Sequence, residues 1–131
     1  MPLVEFIQDM KVRDYECDMQ GIVNNAIYQH YLEHARHEFL QSRGLSFSEL
    51  TNRGIIIVVV RVELDYHGSL RSGDTFRVSV KVKKESRVRI GFYQQIKRLP
   101  DESPVVTAKI ITTAIKENRR AYFPEELEPL L

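Results

Sequence analysis

From Ile55 onward the chain consists of four successive segments rich in β-branched and aromatic residues: Ile55 to Tyr66, Thr75 to Lys84, Arg87 to Arg98 and Val105 to Lys116. The breaks between them carry turn chemistry: Gly68 with Ser72-Gly73-Asp74, then Glu85-Ser86, then Pro100-Asp101-Glu102-Ser103-Pro104. The last three segments lie too close together for parallel crossovers, which need about a dozen residues or more, so antiparallel hairpins or a meander are required.

Two other segments precede this block. Residues 4 to 16 alternate, with Val4, Phe6, Met10 and Val12 on one side and Glu5, Asp9, Lys11 and Arg13 on the other, which predicts a strand broken by Gln20-Gly21. From about Ala26 to Ser42 the residues Ile27, Tyr28, Tyr31, Leu32, Ala35 and Phe39 recur at helical spacing. Asn24 or Asn25 suits the N-cap and Gly44 the C-terminal stop. Ser46 to Gly54 reads as a polar connector, and Tyr122-Phe123-Pro124-Glu125-Glu126-Leu127 as a short terminal turn or helix with proline at its start. One long helix facing five strands packs most simply with the sheet wrapped around it. The expected architecture is therefore α+β, a single domain over 1–131 in which a five-stranded antiparallel sheet encloses one long central helix.

The 131 residues carry 19 basic and 18 acidic side chains, a formal net charge of +1, so no global field favours nucleic acid or an anionic membrane. Any acidic ligand must be met by a local cluster. Cys17 is the only cysteine, which excludes an intrachain disulfide and a multi-thiolate zinc site and suits a reducing, cytoplasmic compartment. The opening Met-Pro-Leu-Val-Glu-Phe has no basic region, and nowhere do about 18 apolar residues run together, so neither signal peptide nor membrane span is expected.

The chemistry gathers where the first strand meets the helix. The turn there sets the carboxylate of Asp18 just ahead of a helix N-terminus, whose first N–H groups lack intrahelical partners and attract developing negative charge. A base or nucleophile beside an oxyanion hole is half of an acyl-transfer site. Cys17, Met19, Ile22 and Val23 give Asp18 apolar neighbours that would make it a better base by desolvation. Asp18 also fits a plain Asx-turn, Asn25 a plain N-cap, and Gly21 either a turn glycine or a point of close substrate approach. Tyr28 and Tyr15 could bound an acyl pocket or orient Asp18, though tyrosine on an apolar stripe also suits a core. His30, His34 and His37 share a helix face away from that stripe without further ligands, which favours a solvated or subunit-contact face over a metal. No Gly-x-Ser-x-Gly elbow and no His-Glu-x-x-His occur.

The run from Val12 to Tyr28, Val-Arg-Asp-Tyr-Glu-Cys-Asp-Met-Gln-Gly-Ile-Val-Asn-Asn-Ala-Ile-Tyr, followed by a helix bearing Glu33, Ala35 and Arg36, resembles the hotdog-fold acyl-CoA thioesterases of the 4-hydroxybenzoyl-CoA thioesterase type. The resemblance covers nearly the whole chain, including the Pro124-Glu125-Glu126-Leu127 ending. Val23-Asn24-Asn25-Ala26, Arg36-His37-Glu38-Phe39-Leu40 and Leu70-Arg71-Ser72-Gly73-Asp74 more closely resemble the plant plastid and cyanobacterial-type thioesterases, which act on fatty-acyl carrier protein or dihydroxynaphthoyl-CoA. The resemblance implies that Asp18 is the catalytic nucleophile or general base and that the Asn25 backbone N–H polarises the thioester carbonyl. It implies a homo-oligomer, two subunits pairing their sheets with the site between them and usually a tetramer, and it calls for no metal or redox cofactor. One branch of the family has histidine where this chain has Asn25, and asparagine cannot shuttle a proton at neutral pH.

Thioester hydrolysis asks for little, since the thiol, with a pKa of about 8.5, leaves as thiolate. Coenzyme A would bring phosphates, and Lys81, Lys83, Lys84, Arg87 and Arg89 cluster around the Glu85-Ser86 turn to meet them, or else form a charged edge that discourages aggregation. An acidic carrier protein would dock on the same residues. The expected function is hydrolysis of an acyl-CoA or acyl-carrier-protein thioester. The competing reading is a non-catalytic acyl-CoA-binding protein of the same fold; a dehydratase would need a histidine in the turn, where none stands.

Overall fold

The computed structural model describes residues 5–116 and 120–131. In chain order it contains β1 (Phe6–Lys11), a 3-10 turn (Asp14–Glu16), α1 (Asn25–Ser42), α2 (Phe47–Asn52), β2 (Ile56–Tyr66), β3 (Thr75–Lys84), β4 (Arg89–Arg98), β5 (Ser103–Ile115), β6 (Ala121–Tyr122) and a closing 3-10 helix (Glu125–Leu130). All pairings are antiparallel, in the order β1-β3-β4-β5-β2, with β6 added to β5 beyond the end of β4. The sheet curls around α1, the hotdog arrangement, and carries six strands where five are expected. The extra one is a two-residue pairing of Ala121 and Tyr122 with Ile115 and Ala114, too short to leave a sequence signal.

The helix buries Tyr28, Tyr31, Leu32, Ala35, Phe39 and Leu40 against Phe76, Val78, Val80, Ile96, Val106 and Ala108 of the sheet. Ile27, at the edge of the stripe, is half-buried. Asn24 is the N-cap, its side chain accepting the Ala26 N–H at 3.0 Å, and Gly44 follows the helix with φ +77, where a side chain would strain the backbone.

Three boundaries differ from the sequence reading. The first strand stops at Lys11 because Glu16 turns inward: its carboxylate accepts the Tyr31 hydroxyl at 2.9 Å and the Arg13 N–H at 2.8 Å, which fixes a 3-10 turn in place of further strand. Val4 lies outside the described residues. Within the connector, Ser46 caps α2 by accepting the Glu49 N–H at 3.1 Å, and Leu50 drops into the core. Strand β4 begins at Arg89, after a loop in which the Ser86 hydroxyl accepts the N–H groups of Val88 and Arg89.

Strand β2 forms one sheet edge and contains a bulge between Val59 and Arg61. Ile57 and Val59 pair with Ala114 and Thr112; past the bulge Val62, Leu64 and Tyr66 pair with Ile110, Ala108 and Val106. The extra residue keeps these apolar side chains on the helix side, where uninterrupted alternation would turn Arg61, Glu63 and Asp65 inward. Ile56, Val59, Val60, Val62 and Tyr66 remain 40–49% exposed along this edge.

Candidate active site

The turn after the 3-10 segment is a tight hairpin. Asp18 N–H donates to Ile22 at 2.9 Å, Gly21 N–H donates to Asp18 at 3.0 Å, and Cys17 and Val23 form a bridge. Gly21 has φ +80, the left-handed position that closes such a loop and strains any other residue. One Asp18 oxygen accepts the Gln20 N–H at 2.9 Å, and the side chain is otherwise exposed with no further partner among the described residues. The structure corrects the expected apolar burial of Asp18: the residue is exposed, Met19 is fully exposed, and Val23 is packed beneath the loop.

The hairpin is held against the strand-connecting segment by Val23 N–H to Leu70 at 2.9 Å and by the Ile22–Arg71 bridge. The Tyr28 hydroxyl accepts the Leu70 N–H at 3.0 Å, and Tyr28, 2% exposed, packs edge-on against Tyr31 and Tyr66. Burial raises its pKa, so it stays neutral. The structure thus makes Tyr28 a brace for the turn and leaves Tyr15 in solvent.

Asn24 N–H donates to Glu16 at 3.1 Å, which joins the loop to the helix start. The next N–H groups divide sharply. Ala26 N–H goes to the Asn24 side chain and Ile27 N–H to the Asn24 carbonyl, while Asn25 N–H has no acceptor among the described residues. One free donor at the positive end of an 18-residue helix therefore stands beside the Asp18 hairpin.

The other predicted residues lie elsewhere. Arg89 pairs with Thr113, which pairs with Val58 at the start of β2, whereas the Tyr66 hydroxyl at its end reaches the Asn25 carbonyl at 3.5 Å. From Val58 to Tyr66 an extended strand runs about 26 Å, so the basic cluster and the Asp18 turn occupy opposite ends of the fold. At the basic end, Lys84 sits 4.1 Å over the Phe123 ring and Lys81 pairs with Glu5 at 3.6 Å. Arg87 stands near Tyr122 and Phe123, which also border a cavity of about 220 Å³.

That cavity opens between the second half of α1, the inner sheet face and the closing 3-10 helix. Phe47, Ile90, Phe92, Leu127 and Leu130 give it an apolar wall, and His37 borders it, 4.5 Å from the Phe47 ring and held below the usual imidazole range by burial. Arg36, 8% exposed, lies in its wall and donates at 3.0 Å to Gln94 behind it, which is fixed by donating to the Leu32 carbonyl at 3.0 Å. In the sequence Arg36 stands only within the resemblance and Gln94 carries no site signal, although Arg36 interrupts the Leu32–Leu40 stripe and Gln94 interrupts the inward series Ile90, Phe92, Ile96. His30 and His34 are exposed, and no group of three or more His, Cys, Asp or Glu able to hold a metal ion occurs among the described residues.

The family model of the thioesterase-like superfamily matches residues 12–131. The chain belongs to the thioesterase-like superfamily. This superfamily member is 38% identical over 112 residues to a chloroplastic acyl-acyl carrier protein thioesterase of Arabidopsis thaliana, a match covering 86% of this chain and 59% of the plant protein. The chain thus spans little more than half of the plant protein's length. It is 31% identical over 103 residues to a long-chain acyl-CoA thioesterase of Escherichia coli, covering 79% and 76% of the two chains. Its fold matches a 1,4-dihydroxy-2-naphthoyl-CoA thioesterase from Synechocystis with TM-score 0.89 at 18% identity, over 94% and 91% of the chains. The expected family and the hotdog fold are both borne out. Among the described residues no helix is long and apolar enough to cross a membrane.

Proposed function

We propose that the protein hydrolyses an acyl thioester of coenzyme A or of acyl carrier protein, releasing the free acid and the thiol. The observation that carries this reading is the unpartnered Asn25 N–H at the start of α1 beside the Asp18 hairpin. The thioester carbonyl oxygen accepts that N–H, which stabilises the charge that develops on it during attack. The free Asp18 oxygen draws a proton from the attacking water, or attacks the carbonyl itself to give an acyl anhydride that water then hydrolyses to the free acid. The C–S bond then breaks and the sulfur leaves as thiolate, with no acid needed at a pKa of about 8.5. The named activities of the plant and Escherichia coli relatives support the reading. A lone thiol, Cys17, suits a reducing compartment such as the cytoplasm.

The site is completed by pairing two chains. A long, apolar, unpaired edge such as β2 is a template for another strand. Antiparallel pairing of β2 with its copy about an axis near Arg61 sets Tyr66 opposite Ile56 of the partner subunit. The Asp18 end of one protomer then meets the cavity and basic cluster of the other, which supplies both the cover that Asp18 lacks and the arginines, Arg87 and Arg89, for phosphate.

Release of free thiol from aliphatic and aromatic acyl-CoAs and from acyl carrier protein tests the proposal, native against Asp18→Asn. The asparagine oxygen can still accept the Gln20 N–H, so the turn persists. Turnover is expected to fall by about 100-fold or more, the usual range for loss of a general base. Equal rates would remove Asp18 from the chemistry, and ligand binding without turnover by the native protein would favour an acyl-CoA-binding module.

A further inference from the structure

Arg36 is a buried cation that meets no carboxylate in an ion pair among the described residues. Its Nη1 donates to the Gln94 side chain at 3.0 Å, and its guanidinium carbon lies 6.0 Å from the Phe92 ring. Among the described residues Nε and Nη2 have no hydrogen-bond partner, yet no side-chain nitrogen is both sealed from solvent and unbonded. Those donors therefore open onto the space around them. That space is the 220 Å³ cavity and an adjoining hollow of about 130 Å³ between α1 and β2, which share Glu33, Arg36 and Val59. Glu33, exposed on the same helix, acts on Arg36 through its charge without closing an ion pair, so the guanidinium donors stay open. A guanidinium held in an apolar wall with donors to spare is costly to keep, and a stripe position between Leu32 and Leu40 would pack better with leucine.

We propose that Arg36, held by Gln94, selects acyl groups carrying an acceptor oxygen away from the thioester over plain hydrocarbon chains. The inference rests on the thioesterase reading above and names its substrate class. An apolar tunnel binds saturated chains by area alone and discriminates weakly between them, whereas a site with buried donors rejects a ligand that leaves them unpaired. The carbonyl or carboxylate oxygen accepts from Nε or Nη2, and the fork geometry of arginine suits a carboxylate in two-point contact. Gln94 contributes by fixing the guanidinium: its amide is itself anchored on the Leu32 carbonyl, so its oxygen is held in place to accept from Arg36.

The test is thiol release from acyl-CoAs of one chain length: the saturated parent, a series in which a single oxo group is walked along the chain beyond the thioester, and the ω-carboxylate. In the native protein at least one oxygenated member is expected to exceed the parent by about tenfold in kcat/KM, the equivalent of one charge-assisted hydrogen bond. In Arg36→Met that ratio collapses towards one, whatever the absolute rates, and Arg36→Lys retains part of it. A native protein that hydrolyses the parent as well as every oxygenated member overturns the proposal without any variant, as does an Arg36→Met protein that keeps the native ratio. If no member of the series is cleaved either as the coenzyme A or as the acyl carrier protein thioester, the thioesterase reading fails separately. The free acids of the same series, titrated calorimetrically into the native protein, must then still rank with the oxygenated acid about tenfold tighter, and equal binding overturns the assignment.

Discussion

The Asn25 backbone N–H can be removed chemically without disturbing what surrounds it. Asn25 is the first helical position, where proline is well tolerated, and Asn24 already has φ −63 and ψ 141, the extended conformation that a following proline demands. Asn25→Pro is therefore expected to fold normally by circular dichroism and to lose about 100-fold or more in kcat, as when an oxyanion donor is deleted. Asn25→Ala, which keeps the N–H, is expected to retain activity. Tyr31 gives a second test. Burial, then the hydrogen bond to Glu16, raises its pKa above the ordinary phenol value, so the folded chain keeps a proton that the unfolded chain loses. Proton uptake then favours folding, and stability should be intact below pH of about 10 and fall as pH rises beyond it. Tyr31→Phe should cost about 1–2 kcal/mol at pH 7 in urea denaturation, and its stability should decline less steeply above pH 10.

The helix start depends on Asn24, and Asn24→Ala should cost about 1 kcal/mol through loss of the cap on Ala26. This element was legible because three signals agreed: apolar residues at helical spacing, an asparagine cap and Gly44 beyond the end. Helix α2 was not read, although Ser46-Phe47-Ser48-Glu49 has the spacing of a capping box; its single buried residue, Leu50, gives no periodicity. The first strand was read too long because alternation persists through Arg13, while the event that ends it, burial of Glu16 against Tyr31, is set by tertiary contact. The Asp18 turn and its free helix end were visible in the local order of residues. Arg36 was not, because a charged residue on a helix is ordinarily solvated, and its burial depends on strands distant in sequence.

For the whole molecule, the exposed β2 edge predicts that the active form is at least a dimer. Val60→Lys, at the exposed bulge residue of that edge, should leave the chain folded while shifting sedimentation to a single chain, and thiol release should vanish with the dimer. A monomeric variant with full activity would show that one chain suffices.

Because the Asp18 turn and the Arg36 cavity stand at opposite ends of one sheet, damage to one end leaves the other intact. An Asp18→Asn chain paired with a chain whose cavity is filled by Leu130→Trp would possess one whole site and one doubly broken one. Co-refolding two inactive homodimers in equal amounts should thus recover about a quarter of native turnover, since half of randomly formed pairs are mixed. In genetic terms, two null alleles of this kind would rescue each other in the same cell.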